Sequence, residues 1–304
     1  MTASAHGRVV LLEGGVSPER EVSLQSGANL APALAEICAE LVRFDPQDRS
    51  LQELAALKPD CVFNILHGGP GENGEISAAL AALGLRATGS GARASMLAMD
   101  KRLSKLVWED EGLGTPQWLV ATDATDATLD SIQLDLGDAV FIKPNSGGSS
   151  ISAGPARGRQ EIAARLAAAL ADDPEAMVEQ LIEGVEVTYG IVGDRVLPGI
   201  RIEVPQGFYD YEAKYVSDDT RFICPPELPG DLDARARAAA QRAYASLGCR
   251  GWGRVDLIVS GQDIQLLEVN TVPGMTSHSL VPLAARKDGM ELPALLAAIL
   301  KEAA

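Results

Sequence analysis

No CxxC pair, no apolar run approaching about 18 residues and little positive charge mark this sequence of 304 residues. Its four cysteines, Cys38, Cys61, Cys224 and Cys249, are scattered, which suits reduced thiols buried as small apolar side chains and offers no zinc site. Acids outnumber bases 42 to 26, a formal net charge of -16. Nucleic acid and anionic membrane both reward clustered Lys and Arg, so neither is expected as a partner, and any anionic substrate must meet locally placed positive charge. Aromatic residues make up only 4%, so the core is expected to be aliphatic. With no basic and apolar leader before the first strand and no candidate span, the expected location is cytoplasmic.

What is present is a packed globular composition, 46% hydrophobic and 22% charged, long enough for two or three compact units without a disulfide or metal staple. Arg8 to Leu12 reads as a strand, followed by Gly14-Gly15 and an apolar-periodic helix opening at Ser17-Pro18 and running to about Ala39. Strand patterns follow at Glu40 to Phe44 and Cys61 to Leu66, with helical ones at Leu51 to Leu57 and Gly74 to Leu83. That alternation predicts a parallel sheet with covered faces. A second unit opens near Asp100 with a helix over Lys101 to Glu111, stopped by Gly112-Leu113-Gly114 and Thr115-Pro116. Strands are expected at Val140 to Ile142 and Met177 to Leu181 around a helix near Arg159 to Leu170. Val185 to Val192 and Arg195 to Arg201 then suggest an antiparallel sheet. The Ala/Thr/Asp stretch Ala121 to Asp130 reads as surface, and Glu203 to Pro229 as a long loop, of the kind that serves as a lid.

Gly253 to Val259, a polar turn at Ser260 to Asp263, and Ile264 to Asn270 form a hairpin pattern. A turn centred near Gln262 places Asp256 opposite Glu268, with Asn270 on the face of Glu268. Two carboxylates and an amide there suit an oxygen-liganded Mg²⁺, or simply a solvated hairpin face. Lys143-Pro144-Asn145-Ser146-Gly147-Gly148-Ser149-Ser150 follows a strand and can wrap phosphate oxygens with backbone N-H groups, though a plain turn has the same composition. It is not a P-loop, since the lysine precedes the glycines. His67-Gly68-Gly69-Pro70-Gly71-Glu72-Asn73-Gly74 follows the strand from Cys61, at the carboxyl end where open parallel sheets bind ligands; His67 there is structural or catalytic.

Together these pieces resemble the D-alanine:D-alanine ligases of the ATP-grasp superfamily. The resemblance rests on Glu19-Arg20-Glu21-Val22-Ser23-Leu24, His67-Gly68, Phe208-Tyr209-Asp210-Tyr211-Glu212-Ala213-Lys214-Tyr215, Gly251-Trp252-Gly253-Arg254-Val255-Asp256, and Glu268-Val269-Asn270-Thr271-Val272-Pro273-Gly274-Met275-Thr276-Ser277-His278-Ser279-Leu280. It implies an α/β protein of three domains: an N-terminal parallel-sheet unit, 1–98, and two α+β units, 99–183 and 184–304, that sandwich ATP. It also implies a homodimer in the cytoplasm, working in peptidoglycan precursor synthesis. One D-alanine carboxylate would attack the γ-phosphate, and the amine of a second D-alanine would displace phosphate from the acyl phosphate.

By the same resemblance, Lys101, Lys143 and Lys214 hold phosphates, and Asp256, Glu268 and Asn270 hold two Mg²⁺ (or Mn²⁺) ions. Glu179, Ile182, Glu186 and Phe208 line the nucleotide site. Arg254 and the N-H of Gly274 form the oxyanion site. Glu19 binds the first ammonium, His67 lies beside the substrate, and Ser279 and Leu280 hold the second carboxylate. Glu19, Ser149 and Tyr215 form a hydrogen-bonded trio that pins the lid. Lactate-using relatives carry a histidine at the position of Tyr215, so a neutral tyrosine there implies D-alanine over D-lactate as second substrate. The sequence departs from the family at Gly147 and Asn73, where an acid is common, at Ser152, where glycine is usual, and at Gln180, where a base is often found. The rival readings are a ligase with a different second substrate, a catalytically dead nucleotide-binding protein, and a small-molecule kinase, which would have no use for Glu19 and Ser279.

Overall fold

A computed structural model describes residues 6–148, 152–204 and 220–304. The first unit alternates β1 (His6–Leu12), α1 (Arg20–Ile37), β2 (Cys38–Phe44), α2 (Leu51–Ala56) and β3 (Cys61–Asn64). The strands pair in parallel in the order β2-β1-β3, as the alternation predicts. Val9 to Leu12 is buried at every position, because helices and loops cover both faces of such a sheet. Two glycines at φ +80, Gly14 and Gly15, turn the chain from β1 into α1. Helices α3 (Glu75–Ala82), α4 (Ala92–Met99) and α5 (Lys101–Asp110) follow, the last capped by Asp100, whose carboxylate accepts from Leu103 N.

The second sheet contains β4 (Trp118–Ala121), β5 (Ala139–Pro144), β6 (Gly154–Arg157) and β7 (Ala176–Gln180), all antiparallel, in the order β4-β7-β5-β6. Helices α6 (Asp126–Leu136) and α7 (Gly158–Asp172) pack Ile132, Leu136, Ile162 and Leu166 against Val140, Ile142 and Val178. The stretch read as surface therefore runs into α6: Thr125 caps it by accepting from Thr128 N, and Leu129 begins its buried stripe. Ala, Thr and Asp masked that stripe because its apolar residues are spaced three and four apart among polar ones. Strands β4 and β6 were too short for a pattern to show.

The third sheet is antiparallel throughout, β11-β10-β8-β12-β13, from β8 (Val185–Val192), β10 (Ile200–Glu203), β11 (Arg221–Ile223), β12 (Trp252–Ser260) and β13 (Asp263–Asn270). The short β9 (Arg195–Val196) pairs with β8. The single strand expected over Arg195 to Arg201 is thus broken at Leu197-Pro198-Gly199. Pro198 has no N-H for a ladder, and Gly199 lies so close to the Tyr189 ring that a Cβ would meet Cε1 at 2.6 Å. Within the expected long loop, β11 pairs with β10. Helix α8 (Leu232–Ser246) covers the sheet, and α9 (Leu280–Lys287) and α10 (Leu292–Lys301) end the chain.

Two cores bind these units together. Val9, Leu11, Leu30 and Phe63 of the first share one cluster with Trp252, Met275, Leu295 and Ile299. Backbone hydrogen bonds join Ala87 and Ala304 in both directions, at 3.0 and 3.2 Å. On the other side, Trp108 of α5 is fully buried among α8 and the third sheet, with Nε1 donating to Ala243 O at 3.2 Å. No helix among the described residues is long and apolar enough to cross a membrane. Truncating Trp108 removes both the ring and that hydrogen bond, so Trp108→Ala is expected to cost about 3–5 kcal/mol in urea unfolding. A loss below about 1 kcal/mol would contradict this packing.

Candidate active site

The β12–β13 hairpin sets the site. Its turn is tighter than expected, Gly261-Gln262 between paired Ser260 and Asp263. That register alone would put Asp256 opposite Leu267. A bulge between Asp256 and Leu257 adds one residue to β13, so Asp256 faces Glu268 and Arg254 faces Asn270. Directly opposed residues share a face, and side chains alternate along a strand, so Arg254, Asp256, Glu268 and Asn270 all stand on one side. Val255, Leu257 and Val269 go to the core on the other.

Asp256 is buried, and its two oxygens accept from Arg254, Nε to Oδ1 at 2.8 Å and Nη2 to Oδ2 at 2.7 Å. Thr188 of β8 also donates to Oδ1, at 2.5 Å. Asn270 Oδ1 accepts from Val272 N at 3.0 Å, which fixes the amide. No group of three or more His, Cys, Asp or Glu suited to a metal occurs among the described residues. Two carboxylates and an amide nevertheless fit Mg²⁺, which takes few protein oxygens and completes its shell with water and phosphate. A cation at Asp256 would compete with the Arg254 guanidinium for the same oxygens.

Beside this face lies a buried charge array. Lys101 and Lys105 are one turn apart on α5, Lys143 is the last residue but one of β5, and Glu179 lies on β7. Lys105 Nζ is 2.7 Å from Glu179 Oε1 and Lys143 Nζ 2.9 Å from Oε2. Burial pushes the Glu179 carboxyl up, but the two lysines more than offset this and hold it at about 2. Burial draws the Lys101 and Lys105 ammoniums below their ordinary value, against the pull of Glu268 and Glu179 respectively. Lys105 and Lys143 thus grip the two oxygens of one buried carboxylate from α5 and from β5. Lys101 Nζ donates to Gly147 O at 2.6 Å, and Asn145 ties the loop to α5 by accepting from Lys101 N and Arg102 N. Ile182 precedes β8 and Glu186 lies half-buried upon it, after the link from Glu179.

The opposite wall comes from the first unit. Glu19 stands at the N-cap of α1, yet its side chain makes no cap hydrogen bond. A Cβ at Gly68 or at Gly148 would come within 2.8 Å of Glu19 Oε1, so both glycines let the backbone approach this carboxylate. His67 is buried. Its Nδ1 carries a hydrogen, because its partner at 3.0 Å is the Val272 carbonyl; Nε2 pairs with Ser26 Oγ at 3.1 Å. Ser26 Oγ in turn accepts from Met275 N at 3.2 Å, so the histidine ties α1 to the segment after β13. Ser279 Oγ accepts from Thr276 N at 2.9 Å and lies where a Cβ on Gly274 would meet it at 3.0 Å, closing the turn that leads into α9.

One cleft brings together Glu19, His67, Lys101, Arg254, Glu268, Asn270, Gly274, Ser279 and Leu280. Asp256, Lys143, Glu179, Ile182 and Glu186 do not line it; Asp256 is engaged by Arg254, which does. Ser149, Phe208, Lys214 and Tyr215 lie outside the described residues. Glu72 and His278, which sequence reasoning passed over, also line the cleft. Glu72 lies within the glycine segment after His67, with Oε1 3.6 Å from Nδ1. Lys105 was missed too; its signal is a second lysine one helical turn after Lys101, a like-charge pair that needs buried acid nearby. Among the departures, Ser152 takes φ +53, the conformation that favours glycine, and its hydroxyl bonds to Asp172. Asn73 serves locally at the start of α3, accepting from Glu75 N and donating to Glu75 Oε1.

The family model for the D-ala D-ala ligase C-terminus matches residues 107–301. The chain is 45% identical over 286 residues to D-alanine–D-alanine ligase B of Chromobacterium violaceum, covering 94% of each chain. It is 46% identical over 303 residues to the D-alanine–D-alanine ligase of Bordetella pertussis, covering 98% of this chain and 95% of that one. The D-alanine–D-alanine ligase of Bacillus anthracis, in a crystal structure complexed with ATP, superposes with TM-score 0.85 at 31% identity, over 97% and 96% of the two chains. The chain belongs to the D-alanine–D-alanine ligase family, with the ATP-grasp fold of those structures.

Proposed function

We propose that this chain joins two D-alanine molecules with ATP, through an acyl phosphate, releasing ADP and phosphate. The observation that carries the reading is the hairpin face, which sets Arg254, Glu268 and Asn270 across one cleft from Glu19, with Asp256 on the same face held by Arg254. Units 1–98, 99–183 and 184–304 would divide the work: the first carries Glu19, the second the nucleotide lysines, the third the metal and oxyanion groups. Phosphoryl transfer is mainly positioning and charge neutralisation, so Lys101 and Lys143 would hold phosphate oxygens while Glu179 and Glu186 orient the nucleoside. Magnesium or manganese, two ions held by Asp256, Glu268 and Asn270, would neutralise the phosphates during transfer.

Glu19 would pair with the ammonium of the first D-alanine, aiming its carboxylate at the γ-phosphate. The second would rest its carboxylate on Ser279 and the start of α9, where helix N-H groups favour an anion. Its amine would then attack the acyl carbon. Arg254 and Gly274 N-H would receive the charge that develops on oxygen, a contribution that matters most in the transition state. The active protein would be a cytoplasmic homodimer serving peptidoglycan precursor synthesis.

Phosphate release with ATP and Mg²⁺, comparing D-alanine, L-alanine and no amino acid, tests the reading. D-alanine-dependent release is expected; equal release with L-alanine or with none would overturn it. Glu268→Gln should keep the fold, since the side chain is half-buried at the cleft, and abolish turnover even at saturating Mg²⁺; wild-type turnover would remove Glu268 from the metal site. A charge-assisted contact contributes about 1.5–3 kcal/mol, so Glu19→Gln should raise the constant for the first D-alanine by roughly tenfold or more. An unchanged constant in folded protein would count against that role.

A further inference from the structure

We propose that Lys105 is a positioning residue for the nucleotide: it holds the Glu179 carboxylate in place and ties it, through Thr115, to the strand that carries Glu268. The inference rests on the nucleotide reading of Glu179 given above.

Lys105 is fully buried on α5, where a lysine survives only if its charge is met. Its Nζ lies 2.7 Å from Glu179 Oε1 and donates to Thr115 Oγ1 at 2.5 Å. The Thr115 hydroxyl donates onward to Leu266 O at 2.9 Å, and Leu266 N donates back to Gly114 O at 2.9 Å. Gly114 must be small for this, because a Cβ there would meet Ile264 O at 2.5 Å. One ammonium therefore joins α5, the link before β4, β7 and β13 two residues ahead of Glu268.

A buried ion pair is a poor source of stability compared with apolar packing of the same volume, so the arrangement calls for a reason beyond stability. The grip on Glu179 supplies one. Lys143 holds the other Glu179 oxygen from β5, at 2.9 Å, so the carboxylate is fixed from both sides. Lys101, one helical turn before Lys105, interacts with both Glu179 and Glu268, so the pair that Lys105 makes is part of the charge array beside the cleft. Replacing Lys105 by a neutral residue leaves the Glu179 carboxylate gripped from the β5 side alone, by Lys143.

The test uses the full-length protein with ADP and Mg²⁺ in isothermal titration, alongside steady-state kinetics and thermal unfolding. Lys105→Met is expected to raise the ADP dissociation constant and the KM for ATP by about tenfold, leaving the KM for D-alanine within about threefold. Because Lys105 acts through Glu179, adding Lys105→Met to Glu179→Gln should weaken ADP binding by less than about twofold more. Thr115→Val, close to isosteric, removes the acceptor of Lys105 Nζ and the link to Leu266 while leaving Lys105 beside Glu179, and should raise the KM for ATP by about threefold; it carries the test where Lys105→Met fails to fold. Equal losses for ATP and D-alanine, full additivity with Glu179→Gln, or wild-type ATP constants in the folded variants would overturn the proposal. Wild-type protein that binds no ADP would instead overturn the nucleotide reading beneath it.

Discussion

A single extra residue in β13 decides which side chains reach the cleft. Side chains repeat every two residues along a strand, so pairing shifted by one exchanges the two faces. With the two-residue turn at Gly261-Gln262 and no bulge, Leu267 would oppose Asp256, and Glu268 and Asn270 would turn toward α8. The bulge restores them to the side of Arg254, while Leu257 still meets Leu266 in the core. Core packing on one face and chemistry on the other thus depend on the same irregularity.

Around that face, strong charges are kept local in an acidic chain. In a protein of net charge -16, Lys101, Lys105 and Lys143 are buried and clustered beside Glu179 and Glu268. Low solvent access makes each interaction stronger and makes an unmet charge costly, so the cluster holds together only as a set. The Arg254–Asp256 pair belongs to the same economy of charge, because the guanidinium meets a carboxylate that a metal would otherwise satisfy. His67, meanwhile, joins α1 to the segment after β13 and fixes the distance across the cleft.

Much of this was legible in the sequence. The βαβ alternation of the first unit, the β8 strand and the hairpin stood out because their apolar patterns are long or bounded by clear turns. The facing of Asp256 and Glu268 was also readable, but from a turn centred one half-residue too late; the bulge that actually produces it leaves no local pattern at Leu267. Helix α6 was hidden by its Ala, Thr and Asp content, and the break at Pro198 was read through. Lys105 has no local pattern because its partner, Glu179 on β7, is distant in sequence, whereas Glu72 lies five residues after His67 and meets it only once the glycine segment folds back.

A metal held at Asp256, as proposed above, would compete with Arg254 for the same oxygens. Crystals grown with ADP and Mn²⁺, located by anomalous scattering, measure it. Manganese is expected between Asp256, Glu268 and Asn270, with the Arg254 guanidinium withdrawn from Asp256 toward the substrate side. Manganese bound elsewhere, or Arg254 still bidentate on Asp256 in the loaded site, would contradict it.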